Sequence, residues 1–239
     1  IDSPRLDLKP NPLYEKDGLA LLKTHYYGGI RKYQWSTVPL SMHGVVYLED
    51  GTKAEITLGE KDGEPRFCVT DLLPHLASEQ NGRKLSEGIK GEELNVVIGS
   101  LPYEDTKDVK EAVKLKVLAL LHEYYGMTEK DFIRAEIEMV PAYRAMDIGL
   151  DRGMVGAYGQ DDRVCAYTAL RAEIETKHPV HTTVTILTDK EEIGSVGNTG
   201  LNSDYVLHYI QKLAEREGAD YKEVLEHSLC LSSDVNAAY

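Results

Sequence analysis

The segment Thr188-Asp189-Lys190-Glu191-Glu192-Ile193-Gly194-Ser195 sets two adjacent carboxylates just after an apolar, alternating run, Thr183 to Leu187. Neighbouring acids repel one another unless a cation holds them. Where a strand ends in a glycine turn, consecutive side chains diverge, so one can face a bound cation while the other faces the cation's water. One acid then serves as a metal ligand and the other as a general base. A solvated loop has the same local pattern, so this segment does not decide the matter alone.

Two further segments bear on it. Gly159-Gln160-Asp161-Asp162-Arg163 leads into a stretch in which Val164, Tyr167, Thr168, Leu170 and Ile174 recur at helical spacing, and Leu229-Cys230-Leu231-Ser232-Ser233-Asp234 is again an apolar strand pattern that ends in an acid. Helix capping would account for Asp161 or Asp162, or for Asp234, singly. It does not account for three acid-bearing element ends, which fit the crevice beyond the strand termini of an α/β sheet.

Taken in order, Asp161-Asp162-Arg163, Asp189-x-Glu191-Glu192-Ile193-Gly194-Ser195 and Ser232-Ser233-Asp234-Val235-Asn236-Ala237-Ala238 resemble the aspartyl aminopeptidase (aminopeptidase I) family of dinuclear zinc exopeptidases. Ile1-Asp2-Ser3-Pro4-Arg5-Leu6 is similar to the remainder of that family's His-x-Asp-x-Pro motif. The resemblance implies that Asp161 bridges two divalent metal ions, that Glu192 and Asp234 each bind one of them, and that Glu191 is the general base. The metals would be zinc, with cobalt or manganese also suited to carboxylate-rich ligands. Asp2 would orient the preceding histidine, Arg163 would be structural, and the link to Asp162 would be a cis peptide. Each metal in the family also takes a histidine that this sequence does not contain, so the chain reads as part of a longer protein and is expected to hold at most a partial site.

The resemblance also implies removal of N-terminal residues from peptides by metal-activated water, within a homo-oligomer, a dodecamer built from dimers. Histidines of an inserted domain can reach a neighbouring subunit's active site in relatives. This makes His75, in Leu73-Pro74-His75-Leu76, a possible substrate or oxyanion contact, although a lone histidine is more often structural.

The elements that must position these residues fall into two textures. Val38 to Glu49, Lys53 to Leu58 and Pro65 to Thr70 read as short strands, with Asp50-Gly51 and Asp62-Gly63 as hairpin turns. Thr106 or Asp108 starts a helix whose Val109, Ala112, Val113, Val117, Leu120 and Tyr124 share a face and which Gly126 ends. Thr128 caps a short turn before a strand through Ala135, Ile137 and Met139, and the polar segment Gln80 to Gly91 reads as a mobile loop. After Asp147, glycine-rich turn, helix and apolar strand alternate, with a helix from Asn202 or Ser203 to Gly218 and another over Tyr221 to His227. The expected fold is α/β: a catalytic domain (residues 1–10 and 148–239) with a central mixed β-sheet flanked by helices, plus an inserted β-rich α+β domain (residues 11–147) that mediates assembly.

Composition narrows the function classes. The 239 residues are 42% hydrophobic and carry a net charge of −13, which disfavours nucleic acid. No apolar run approaches the ~18 residues of a membrane span, and no signal peptide is recognisable. Cys68, Cys165 and Cys230 are odd in number and far apart, as expected for a reducing, cytoplasmic setting. Gly194-Ser195-Val196-Gly197-Asn198-Thr199-Gly200 could be taken for a phosphate-cradling loop, but it lacks the Gly-Lys-Ser/Thr ending and follows two acids. His178 and His181 lie at the wrong end of the expected strand to join Glu192. The competing functions are a related dinuclear hydrolase, a carboxypeptidase or N-acyl deacylase, and a non-catalytic assembly or peptide-binding module.

Overall fold

The computed structural model describes residues 2–104 and 109–237. The chain forms two compact units, one of Arg5–Arg144 and one of Ile1–Pro4 with Ala145–Tyr239.

The Arg5–Arg144 unit is built on a seven-stranded sheet. Strands β1 (Arg5–Lys16) and β2 (Leu19–Tyr27) form a hairpin through Asp17-Gly18, both at positive φ (51° and 75°), as a tight turn matched to strand twist requires. The register shifts between Leu8 and Leu13, which takes Pro10 and Pro12 out of the regular ladder. Strand β3 (Leu40–Tyr47) pairs with β4 (Lys53–Leu58) through a turn at Asp50-Gly51, with Leu48 N–H donating to the Thr52 carbonyl at 2.9 Å. Strand β5 (Cys68–Val69) is shorter than the expected Pro65 to Thr70. The expected loop from Gln80 to Gly91 begins in helix α1 (Ser78–Asn81) and continues as short helical turns. Arg83 ties them together, reaching Glu79 at 3.1 Å and Glu93 at 3.0 Å.

After β6 (Val96–Gly99) comes helix α2 (Ala112–Tyr125), then β7 (Ala135–Pro141). The strand order is β4-β3-β7-β1-β2-β6-β5, every neighbouring pair antiparallel. The sheet curls until Phe67, just before β5, meets Leu40 of β3 in a two-way backbone pair of 2.7 and 2.9 Å. Such closure satisfies edge groups that would otherwise be exposed. Leu6, Leu22, Leu40, Val46, Ile56, Val96 and Met139 fill the interior at 0–2% exposure.

Helix α2 buries Val113, Val117 and Leu121, an i, i+4, i+8 line, while Val109 and Tyr124 of the expected face are exposed. Packing of α2 needs Gly99, since a Cβ there would lie 2.6 Å from Val117 Cγ2. Gly126, at φ 70°, ends the helix and donates its N–H to His122 O at 2.8 Å, as expected. The expected starts at Thr106 and Asp108 lie outside the described residues. The first turn is instead capped from a distance: Glu15 of β1 accepts the N–H groups of Val113 and Lys114 at 2.9 and 3.0 Å. Thr128 and Asp131 form the expected cap of the turn before β7.

The other unit holds a hairpin of β8 (Met146–Ile148) and β9 (Met154–Gly156) and the helices α3 (Gln160–Glu175), α4 (Tyr205–Arg216) and α5 (Tyr221–Glu226). Asp220 caps α5 by accepting the N–H groups of Lys222 and Glu223. The central mixed sheet expected here is not formed among the described residues. Residues 183–187 and 229–231 join no ladder, and their apolar side chains stay exposed, Leu229 and Leu231 almost fully. A strand needs a neighbour to satisfy its backbone, and alternation in sequence does not supply one. The expected boundaries near residues 11 and 147 fall inside β1 and β8. The whole is a mixed α/β fold with a curled antiparallel sheet and helices, and no helix among the described residues is long and apolar enough to cross a membrane.

Candidate metal centre

Four short segments of the unit formed by residues 1–4 and 145–239 carry the candidate residues. Gly159, at φ 69°, turns the chain into α3, so that Asp161 and Asp162 occupy its first turn, where unpaired amides favour negative charge. The peptide between them is trans, because it belongs to the helix; the expected cis link is absent. Arg163 Nη1 donates to the Tyr158 carbonyl at 2.7 Å.

Residues 2–4 form a strap across this helix start. The Asp2 N–H donates to Asp162 Oδ2, and the Tyr158 hydroxyl donates to the Pro4 carbonyl. Asp2 Oδ2 in turn accepts the Glu192 N–H at 3.2 Å. One aspartate thus ties the start of α3 to the Glu191–Ile193 turn. That turn is a single helical turn entered by Lys190 at φ 66° and left by Gly194 at φ 80°, with Gly194 N–H donating to Glu191 O at 2.9 Å. Asp234 lies in an extended, exposed stretch and accepts the Val235 N–H at 2.7 Å.

Charges from several segments act on these acids. Glu191 is held above the usual carboxylate range by partial burial and by the charges of Asp162, Asp234, Asp161 and Asp2. Glu192 is raised by burial and by Glu191, Asp161, Asp2 and Asp162. Asp161 is raised by burial, Asp234 and Asp162. The charges of Asp2, Asp161 and Asp162 thus reach both Glu191 and Glu192, and that of Asp234 reaches Glu191 and Asp161. His75 sits in a helical turn, Pro74–Leu76, of the Arg5–Arg144 unit. His178 and His181 are exposed in the stretch after α3.

A cluster of carboxylates has the charge and the oxygen donors that divalent cations require. Among the described residues, however, no three His, Cys, Asp or Glu groups are arranged to hold an ion by themselves. The donor set fits a metal in kind but is incomplete, and it lacks the imidazole nitrogens that zinc usually takes alongside carboxylates. Sequence reasoning missed the Asp2 to Glu192 bond, which joins positions 190 residues apart. The only hint was that a motif aspartate lay next to the site in the resemblance.

The family model described as aminopeptidase I zinc metalloprotease (M18) matches residues 1–239. The chain is 51% identical over 244 residues to a probable M18 family aminopeptidase 1 of Clostridium acetobutylicum, aligning along all of this chain and 52% of that relative. A crystal structure of aminopeptidase I from the same organism matches at a TM-score of 0.93 and 46% identity, covering 100% of this chain and 52% of the other. The M18 aminopeptidase of Thermotoga maritima matches at a TM-score of 0.88 and 51% identity, covering 95% and 49%. The chain thus spans about half the length of the relatives it matches. A match along the whole chain decides the affiliation: the chain belongs to the aminopeptidase I zinc metalloprotease (M18) family.

Proposed function

We propose that this chain supplies the carboxylate half of a dinuclear metal site in an aminopeptidase that releases the N-terminal residue of peptides. The observation that carries this reading is the link Asp2 makes between the start of α3 and the Glu191–Ile193 turn, its N–H donating to Asp162 Oδ2 and its Oδ2 accepting the Glu192 N–H, beside which burial and nearby acids raise Asp161, Glu191 and Glu192. Asp161, Glu192 and Asp234 would hold the metals, zinc on the family's description. Polarisation of the scissile carbonyl and a water pKa lowered to about 7 are the chemistry such ions would supply when bound. The Glu191 carboxylate accepts the proton of the attacking water and returns it to the leaving amine. Asp2 fixes the direction of the Glu191–Ile193 turn through the Glu192 N–H.

The remaining roles are proposals of the same reading. The Arg5–Arg144 unit is the inserted assembly domain, through which copies join as dimers within a dodecamer. His75 is offered from it toward substrate, and the protein works in the cytoplasm.

The test is aminopeptidase turnover by this chain, alone and in the full polypeptide length of its relatives, for wild type and Glu191→Gln. The variant should keep its bound zinc, measured by elemental analysis, and lose roughly 10²–10⁴-fold in kcat. Unchanged kcat removes the general-base assignment. Cleavage of N-acyl substrates in place of free aminoacyl ones makes it a deacylase, and metal-independent peptide binding alone makes it a docking module.

A further inference from the structure

The glycine loop after Glu192 is the one sequence motif that the proposed chemistry leaves without a task. Its two ends are joined in both directions: Asp189 N–H donates to the Thr199 carbonyl at 3.3 Å, and Thr199 Oγ1 donates to Asp189 Oδ2 at 3.0 Å. Lys190 Nζ approaches the same Oδ2 at 3.1 Å. Inside this mouth the chain folds back on itself. Ser195 N–H donates to Lys190 O at 2.8 Å, Asn202 N–H donates to Ser195 O at 3.2 Å, and Asn202 Nδ2 donates to Gly194 O at 3.1 Å. Gly200 is buried, and a Cβ there would stand 2.2 Å from Ser195 O and 2.7 Å from Val196 O, so backbone lies directly on backbone. Lys190 and Ser195 hold left-handed φ values of 66° and 61°, which a free loop would not keep. The amides of Gly194 and Ser195 are committed to backbone oxygens, so the loop is not built to receive a phosphate.

We propose that residues 189–202 form an internal clasp in which Thr199, acting through Asp189, is a positioning residue that fixes the Glu191–Glu192 turn against the acids of α3. The inference rests on the metal-site reading above for its function, and on the loop's own hydrogen bonds for its structure. Thr199 touches no reacting group. Its hydroxyl sets the frame on which the two glutamates stand.

The test uses this chain as wild type, Thr199→Val, which keeps the branched shape and loses the donor, and Thr199→Ser, which restores the donor. Amide hydrogen exchange is followed without metal, and Co²⁺ uptake by its visible absorption. In T199V, the Asp189 and Ser195 amides should exchange roughly fivefold faster, the worth of one hydrogen bond, while α4 keeps its wild-type rates. Co²⁺ affinity should fall roughly tenfold, as for other groups that orient ligands. T199S should restore both within about twofold. If T199V unfolds more widely, T199S decides, because a clasp requires the serine chain to keep native exchange and affinity. Wild-type exchange and affinity in T199V would overturn the clasp alone. A wild-type chain that takes up no Co²⁺ even at millimolar metal would overturn the metal-site reading and the positioning role with it. The metal-free exchange rates tell that failure apart from failure of the clasp.

Discussion

Asp131 anchors the Glu129–Arg134 turn of the Arg5–Arg144 unit. Its side chain is almost fully buried, accepts both the N–H and the hydroxyl of Thr128 at 2.8 Å, and meets Arg134 Nη2 at 2.5 Å. Burial would raise its pKa, but the two Thr128 donors and the Arg134 guanidinium outweigh burial and hold it below the usual carboxylate range. A depressed folded-state pKa means that this stabilisation is fully present above the ordinary carboxylate pKa and is lost as pH falls through the folded value. Asp131→Ala should therefore destabilise the chain by about 2–3 kcal/mol at neutral pH. The difference from wild type should shrink as denaturation is measured at progressively lower pH. A pH-independent difference would show that the charge is irrelevant there.

At the scale of elements, the β3–β7 pairing depends on a missing side chain. Gly44 stands opposite Ile137 at φ 151°, and a Cβ there would lie 2.1 Å from Glu136 O and 2.7 Å from Ile137 Cα. Gly44→Ala should cost about 3 kcal/mol or more in chemical denaturation, because backbone, unlike a side chain, cannot swing aside. A loss below 1 kcal/mol, roughly the ordinary helix or strand propensity change, would mean that the strands separate more easily than the structure implies. Elements set by local chemistry were legible in the sequence: the Asp50-Gly51 hairpin, the end of α2 at Gly126, the cap at Thr128. Strand β1 was not, because Pro10 and Pro12 argue against a strand until the register shift that accommodates them is known. The Asp17-Gly18 turn was a usable signal that went unread. In the candidate site the acids were legible from type and order. The bonds that aim them were not, since Asp2 and Glu192 are far apart in the chain, and Asp189 and Thr199 lie on either side of a loop whose path no periodicity describes.

Across the whole molecule, buried apolar side chains are unevenly shared. Apart from Ala214, every buried hydrophobic residue among those described belongs to the Arg5–Arg144 unit. Helix α3 buries none of its residues, and its Val164, Tyr167, Leu170 and Ile174 are 42–67% exposed. Local opening is governed by how much apolar contact it must break. Hydrogen exchange followed by mass spectrometry should therefore find the slowest amides in β1, β2, β3 and β7, with those of α3 exchanging far sooner. Equal protection of α3 and β1 would contradict the distribution of burial.

The place of β7 between β1 and β3 has a consequence for synthesis. While the ribosome has released only the residues before Ala135, the nascent chain can assemble two separate ribbons, β3 with β4 and β1 with β2, β6 and β5, linked by the Leu40–Phe67 bridge. Each ribbon carries an open ladder that awaits the same seven-residue segment. The ring is completed only when Pro141 clears the exit tunnel, so the period of greatest vulnerability to misassembly falls late in translation of this unit.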